Sequence, residues 1–570
     1  MKKIQFNLNK KYWKYTCYFL STTILLLGVS SCKKQLDVKD PNDPTFATNV
    51  NSEAGVTAYA KGGIYWNGFN YGDGWLGDSY FSLPWGYHEL MGDIIGGGQG
   101  SNNQTTTMGV PDNFQADPTD PSTIFTNPST QVAVIRSFNT AAATANANNA
   151  LYYEWLNMYA MINACNLTLE HLGNVPLSTD KANTIKAWAY WWKGYAYAQI
   201  GTLYIAGLIV DDPNKIASKF VNQAAIIAES NKQLNFAMTA LNGIANQGDY
   251  TTVIAELIPT QNQKGLGMPL SSAQWIRTIN TMLARNILLN HLAPFVNGNP
   301  GATISKASIP VMAVGDWQAI ITYCNNGIKQ GDNVFTGRTT ATNSYFTPAG
   351  GSVAGILTIS NQTSTYKLGE RLLQNFKPGD KRLANFTTAN GIFFGDANTN
   401  STRYSLVDGV NAGLTGIPIL GSRVPGGLEI YIGPTYEENA LMLAEANIRT
   451  GNIETGLGYI DQVRTYQGAG IAAVKGTGLT LAQALQELTM ERMAALAFRG
   501  LSFYDLRRWG WIYSTAKGGG RYGATIIFNA KVYTNATINY NFMDYWDVPA
   551  DETDKNPPSA DSAPVINPNY

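Results

Sequence analysis

Two stretches, TYEENALMLAEANIRTGN (435–452) and ERMAALAFRGLSFYDLRRWG (491–510), decide how this chain is read. In the first, Thr435-x-x-Glu438 has the form of a capping box. The helix it opens runs through Ala444 and Ala446, whose small side chains let a neighbour approach closely. Gly451-Asn452 supplies the turn, and a second helix is expected to continue to about Tyr466. Thr480-x-x-Gln483 opens another helix, which stops near Gly500. Paired helices of this kind are tetratricopeptide-like, although no strict repeat of about 34 residues runs through the chain. Glu491, Arg492, Asp505 and Arg508 sit among apolar neighbours in these patterns, which assigns them to structural ion pairs rather than to catalysis.

Upstream, Trp155, Met158, Tyr159, Ile162, Leu169 and Leu172 recur at spacings of three and four, as do Ile185, Trp188, Trp192, Tyr195, Gln199 and Leu203. The two sets predict a helical hairpin about Val175-Pro176. Trp188, Trp191, Trp192, Tyr195 and Tyr197 crowd one helix so densely that they are assigned to packing. Further helices are expected at 52–63, 219–246, 272–293 and 316–329. Residues 65–87 mix Gly with aromatics, and 96–130 are so rich in Gly, Asn, Thr and Pro that no regular element is expected there. Residues 331–432 read as an irregular insertion with short strands such as Leu428–Ile432. The fold class is therefore mainly α: tetratricopeptide-like helix pairs forming a superhelical body, with loop-rich excursions at 65–130 and 331–432, signature helices at 435–510, and a polar, Pro-rich tail at 547–570.

The amino-terminal end has a different logic. Lys2, Lys3, Lys10, Lys11 and Lys14 precede an uncharged apolar run from Cys17 to Val29. As a helix that run would span about 20 Å, too short for about 30 Å of bilayer hydrocarbon, so it reads as a removed signal peptide, 1–31. Val29-Ser30-Ser31-Cys32 resembles the bacterial lipobox, which makes Cys32 the expected site of lipidation and membrane anchoring. Residues 32–50 then form a flexible tether, and 51–570 form the body.

With 570 residues, a large multi-lobed body is expected. Net charge is zero and only 14% of residues are charged, so no basic face is evident to neutralise nucleic-acid phosphates. Such a surface suits a neutral, hydroxyl-rich ligand. Cys165 and Cys324 lie in apolar helical patterns and read as small buried side chains rather than a bridge. His88, His171 and His291 lack second ligands at metal-site spacing, so neither metal nor cofactor is expected. Gly96-Gly97-Gly98-Gln99-Gly100 lacks the following Lys-Ser/Thr of a phosphate loop. Scattered carboxylates make no catalytic constellation, so the chain is read as a binding protein and not an enzyme.

Several segments in order then resemble the SusD/RagB family, the starch-binding-type outer-membrane lipoproteins of Bacteroidetes. They are Cys32-Lys-Lys-Gln-Leu-Asp-Val, then Trp155-x3-Tyr159-x2-Ile162-Asn163-x2-Asn166 and the aromatic helix Ala187–Tyr204, then Glu437 to Gly451 and Glu491 to Gly510. Asp547-Val548-Pro549 departs from the family's usual Pro-Ile-Pro closing segment. The resemblance implies a cell-surface lipoprotein that captures an oligosaccharide and delivers it to a SusC-like, TonB-dependent transporter. An adhesin or structural surface lipoprotein, or capture of a non-glycan cargo such as peptide, are the alternatives. Sugar recognition needs flat apolar faces together with amides and hydroxyls. The loops offer Trp75, Trp85, Tyr87, Asn102, Asn103 and Gln104, and the insertion offers Tyr345, Phe393, Phe394 and Tyr404.

Overall fold

The computed structural model describes residues 50–66, 84–97, 107–141, 149–338, 366–388, 402–406 and 429–570. The signal peptide, Cys32, nearly all of the tether, and Trp75, Asn102, Asn103, Gln104, Tyr345, Phe393 and Phe394 lie outside the described residues.

Helix α1 (Glu53–Tyr59) begins where Ser52 accepts the Gly55 N–H at 3.1 Å, and it continues as a π-helix over Ala60–Trp66. Helix α2 (Pro84–Met91) leads to strand β1 (Ile95–Gly97), then β2 (Asn113–Gln115), β3 (Ile124–Thr126) and helix α3 (Gln131–Ser137). The expected hairpin follows as α4 (Ala150–Leu172) and α5 (Thr179–Leu203), the latter capped by Ser178. All five aromatics assigned to packing on α5 are buried. The Trp188 indole donates to the Ala60 carbonyl at 2.9 Å and so ties the π-helix to this core.

A short pair, β4 (Ala206–Leu208) and β5 (Phe220–Asn222), passes the chain to α6 (Gln223–Asn242) and α7 (Gln247–Leu257). The helix expected over 219–246 is α6, which starts after β5 and ends at Gly243, and Asn246 caps the next segment. Helix α8 (Ser272–Asn290) opens with a full Ser271/Gln274 capping box, and α9 (Ala293–Gly298) and α10 (Val314–Asn325) follow.

The insertion contributes β6 (Thr336–Arg338), β7 (Tyr366–Leu368), a turn of helix α11 (Glu370–Leu373), β8 (Phe386–Thr388), β9 (Tyr404–Leu406) and β10 (Glu429–Tyr431). These strands are antiparallel stems: β6 pairs with β10, β7 with β1, and β8 with β9.

The signature region forms α12 (Tyr436–Arg449), α13 (Ile453–Tyr466), α14 (Leu481–Ala495) and α15 (Ser502–Arg508). Helices α12 and α13 pack as a pair, α14 lies against both, and α12 also packs on α10 and α8. Helices α12 and α13 approach closely at Gly456, where a β-carbon would lie 2.6 Å from the Ala444 carbonyl oxygen. The Thr480/Gln483 capping box forms. The one expected at Thr435 does not. Thr435 makes no side-chain cap, and the Glu438 carboxylate is drawn instead to Arg285 of α8 at 2.6 and 2.5 Å.

Strands β11 (Arg521–Phe528) and β12 (Lys531–Asn539) form a hairpin that the sequence reading lacked. It builds a four-stranded sheet in the order β11-β12-β2-β3. Segment 96–130 therefore carries β2, β3 and the end of β1 where no regular element was expected, and β2 finds its partner in β12 more than 400 residues later. The tail, with helix α16 (Ala550–Lys555), is packed rather than loose. Arg136 donates to Asp547 at 2.9 Å, to the Asn567 carbonyl at 3.0 Å and to the Tyr570 carbonyl at 2.9 Å.

Most of the buried apolar residues between Val56 and Val548 form one continuous core, not separate lobes. At its centre the Arg507 guanidinium donates to the carbonyls of Thr202 (2.7 Å), Asp544 (2.9 Å) and Leu289 (3.1 Å), and it faces the Tyr545 ring at 4.3 Å. A rigid fork of donors suits this joining of α5, α8 and the C-terminal segment. Cys165 and Cys324 are free and buried, as read.

Candidate functional site

The stems of the loop-rich face rest on buried charge. Asp93, held at a left-handed φ of 63°, accepts from Arg371 Nε at 2.7 Å, Arg521 Nη1 at 3.0 Å and the Tyr540 hydroxyl at 2.6 Å. One carboxylate thereby joins the end of α2, the insertion and the C-terminal hairpin. Glu370 accepts the Arg403 backbone N–H at 2.8 Å and its guanidinium at 2.9 Å, and Arg403 lies over the Tyr404 ring at 5.6 Å. Two guanidiniums meeting one buried carboxylate leave the stems little freedom.

Of the sequence-selected ligand candidates, Tyr404 sits half-buried on a stem beside Arg403. Trp85 and Tyr87 are packing residues in this structure, 9% and 0% exposed. The Gly- and aromatic-rich composition suggested a loop, but Pro84 starts a helix, and α2 packs against α15 and α4.

The same helix carries His88 and Glu89 inward. His88 Nε2 lies 2.8 Å from Glu154 and 3.4 Å from the Tyr504 hydroxyl. Glu89 accepts from the N–H groups of Gly500 (2.7 Å) and Phe498 (3.4 Å) and from the Ser502 hydroxyl (3.1 Å). Burial pushes its carboxyl up to about 7 against those donors. Both side chains are closed to solvent, so the pair braces the fold and meets no substrate. The signature charges do likewise. Asp505 bridges Arg492 (3.0 Å) and Arg508 (2.6 Å), and Glu491 bridges Arg382 (2.6 Å) and Arg464 (2.8 Å).

An open groove runs along the helical ends. A cavity of 360 Å³ takes in Trp317, Glu445, Arg508 and Trp509, and one of 590 Å³ takes in Gln486, Met490 and Tyr522. They share Lys306, Thr489 and Trp511. The tryptophans are placed by the end of α15. There the Trp511 N–H bonds the Leu506 carbonyl and the Gly510 N–H bonds the Arg507 carbonyl, a Schellman arrangement with Gly510 at φ 72°. Trp509 and Trp511 thus flank one glycine, with ring centroids 5.3 Å apart and planes at 52°. In the sequence Trp509 reads as part of the signature motif, which stops at Gly510, one residue short of Trp511. The Trp-Gly-Trp triplet at a helix stop was the available signal. Among the described residues no group of three or more His, Cys, Asp or Glu is placed to hold a metal ion, and no helix is long and apolar enough to cross a membrane.

The helices α12–α15, the hairpin and most of the tail coincide with residues 436–564, which match the model of the SusD family. That stretch is thus a SusD-family segment of this chain. A SusD-like carbohydrate binding protein from Bacteroides vulgatus is similar at 13% identity, with 88% of this chain and 92% of that one covered, at TM-score 0.48. A SusD superfamily protein from the same organism is 16% identical, with 89% and 97% covered, at TM-score 0.49. Another solved structure, 14% identical, aligns over 90% of this chain and 98% of its own at TM-score 0.50, which supports a shared fold. No curated protein matches the chain. The SusD-family helices are thus the frame on which the groove and the loop stems are mounted.

Proposed function

We propose that this chain is a cell-surface, lipid-anchored protein of the outer membrane that binds an oligosaccharide and delivers it to a SusC-like, TonB-dependent transporter. The observation that carries the reading is the SusD-family segment 436–564 in a chain that also bears a cationic and apolar leader ending at Cys32. In this reading 1–31 is removed, 32–50 is a tether long enough to let the body move over a channel, and 51–570 does the binding. The ligand lies against the loop-rich face, with Trp75, Asn102, Asn103, Gln104, Tyr345, Phe393, Phe394 and Tyr404 as the contact set. No bond of the ligand is broken. Support comes from the rigid stems, which would present these loops preorganised and so lower the entropic cost of binding.

The test uses the full-length chain in detergent. Saturable binding to an oligosaccharide panel, weakened by Trp75→Ala, and co-purification with a barrel transporter are expected. Labelling with palmitate should fail in Cys32→Ser. A chain that binds no glycan and recovers no transporter would leave the reading without support.

A further inference from the structure

The groove at Trp509 and Trp511 is outside every loop assigned to ligand above, and it has the parts of a binding site. Both indoles are half-exposed and both are held from behind. The Arg508 guanidinium lies 5.0 Å over Trp509, and Arg521 lies 5.5 Å over Trp511. Those arginines are themselves fixed, Arg508 on Asp505 at 2.6 Å and Arg521 on Asp93 at 3.0 Å. Flat apolar faces that do not have to be ordered on binding are what a pyranose C–H face needs.

The polar complement is also present. Glu445 and Arg508 line the cavity and are at least nine-tenths buried, yet Glu445 Oε2 and Arg508 Nη2 have no hydrogen-bond partner among the described residues. One spare acceptor beside one spare donor suits a hydroxyl, which both donates and accepts. Charge here is not balanced. Arg492, Arg508 and Arg449 share two carboxylates, Asp505 and Glu445. Lys306 adds a further cation, exposed and with no ion pair among the described residues. Its stem packs by Gly510, where a β-carbon would come within 2.7 Å of Lys306 Cγ, so Lys306 enters the groove beside the glycine that the two indoles flank.

We propose that this groove is a second saccharide subsite, taking a pyranose ring with an anionic substituent, the ring on Trp511 and the anion on Lys306. The inference rests on the oligosaccharide reading but names a different place and a charge preference that the loops do not imply.

Calorimetric titration of the full-length chain with tetragalacturonate and with its fully methyl-esterified, neutral form tests it. The acidic form should bind about tenfold more tightly, the worth of one charge-assisted contact. Lys306→Ala should remove that preference, bringing the acidic form to about the affinity of the neutral form. Trp511→Ala should weaken both forms about tenfold, and Trp511→Phe, which keeps a flat ring and the packing, should restore most of the loss. Equal affinity for the two forms overturns the proposal, as does parental binding in both Lys306→Ala and Trp511→Ala. If other glycans still bind and respond to Trp75→Ala, only the groove assignment falls. If no glycan of either charge binds, the oligosaccharide reading falls with it.

Discussion

Replacing Glu89 by Gln should flatten a loss of stability that the parent chain shows between about pH 4.5 and about pH 7. The Glu89 carboxyl is buried, and its hydrogen-bond partners are two backbone N–H groups and one hydroxyl. Desolvation dominates and holds its pKa at about 7 against an ordinary 4.5. In the folded chain the proton stays on until about pH 7, whereas in the unfolded chain it leaves near 4.5. Between those values the native state binds more protons. The stabilisation is therefore complete below about pH 4.5 and is lost as pH rises through 7. At about 1.4 kcal/mol per pH unit, the gap amounts to about 3 kcal/mol. Gln imitates the protonated acid. Its oxygen can accept from Gly500, and its amide can donate to Ser502, whose hydroxyl also bonds the His88 carbonyl at 3.2 Å. It gives up only the long 3.4 Å bond from Phe498. Urea unfolding across pH should show parent and variant close together in acid, with the variant more stable by about 2–3 kcal/mol in mild base. Parallel curves at all pH values would refute the assignment of the desolvation cost to Glu89.

Gly500→Ala should destabilise the chain by about 3–5 kcal/mol, because φ is 68° there and a β-carbon would overlap the Trp85 indole; a urea midpoint unchanged from the parent would contradict the packing. Arg382→Ala takes the shared cation from Asp380 and Glu491 and should cost about 3–5 kcal/mol, whereas Lys306→Ala, at an exposed position with no ion pair among the described residues, should stay within about 0.5 kcal/mol by the same measurement. Arg136→Ala removes bonds to Asp547, Asn567 and Tyr570 and should cost about 1–2 kcal/mol, with limited proteolysis now cutting in the tail; a tail that stays protected would mean other contacts hold it.

What could be read from the sequence was local. The hairpin of α4 and α5, the pair α12 and α13, and the stop at Gly451 follow from spacing, small residues and turn chemistry that sit within one or two elements. The two capping boxes show where that reasoning ends. Thr480/Gln483 and Thr435/Glu438 look alike in sequence, and only the first forms, because Arg285, 153 residues from Glu438, binds that carboxylate more strongly than a cap does. The hairpin β11–β12 was illegible for a related reason. Its two-residue turn is Asn529-Ala530 with φ values of 48° and 60°, a conformation usually announced by Asn-Gly, and Ala gives no such signal. Trp85 and Tyr87 read as loop residues because Gly and aromatics surround them, and burial by α15 is a tertiary fact.

The low charge content also changes meaning once the fold is known. Only 14% of residues are charged, which in the sequence suggested a surface of uncharged polar groups. The structure places Arg371, Arg382, Arg492 and Arg507 among its largest fully buried side chains, bonded to carboxylates and carbonyls that join distant elements. Much of the charge is therefore internal and paired, and it braces the stems and the signature helices. Lys306 is an exposed cation with no ion pair among the described residues, and it lines one groove with Trp509, Trp511 and the buried Glu445 and Arg508. The arrangement that keeps the body rigid is the same one that concentrates recognition chemistry in this groove.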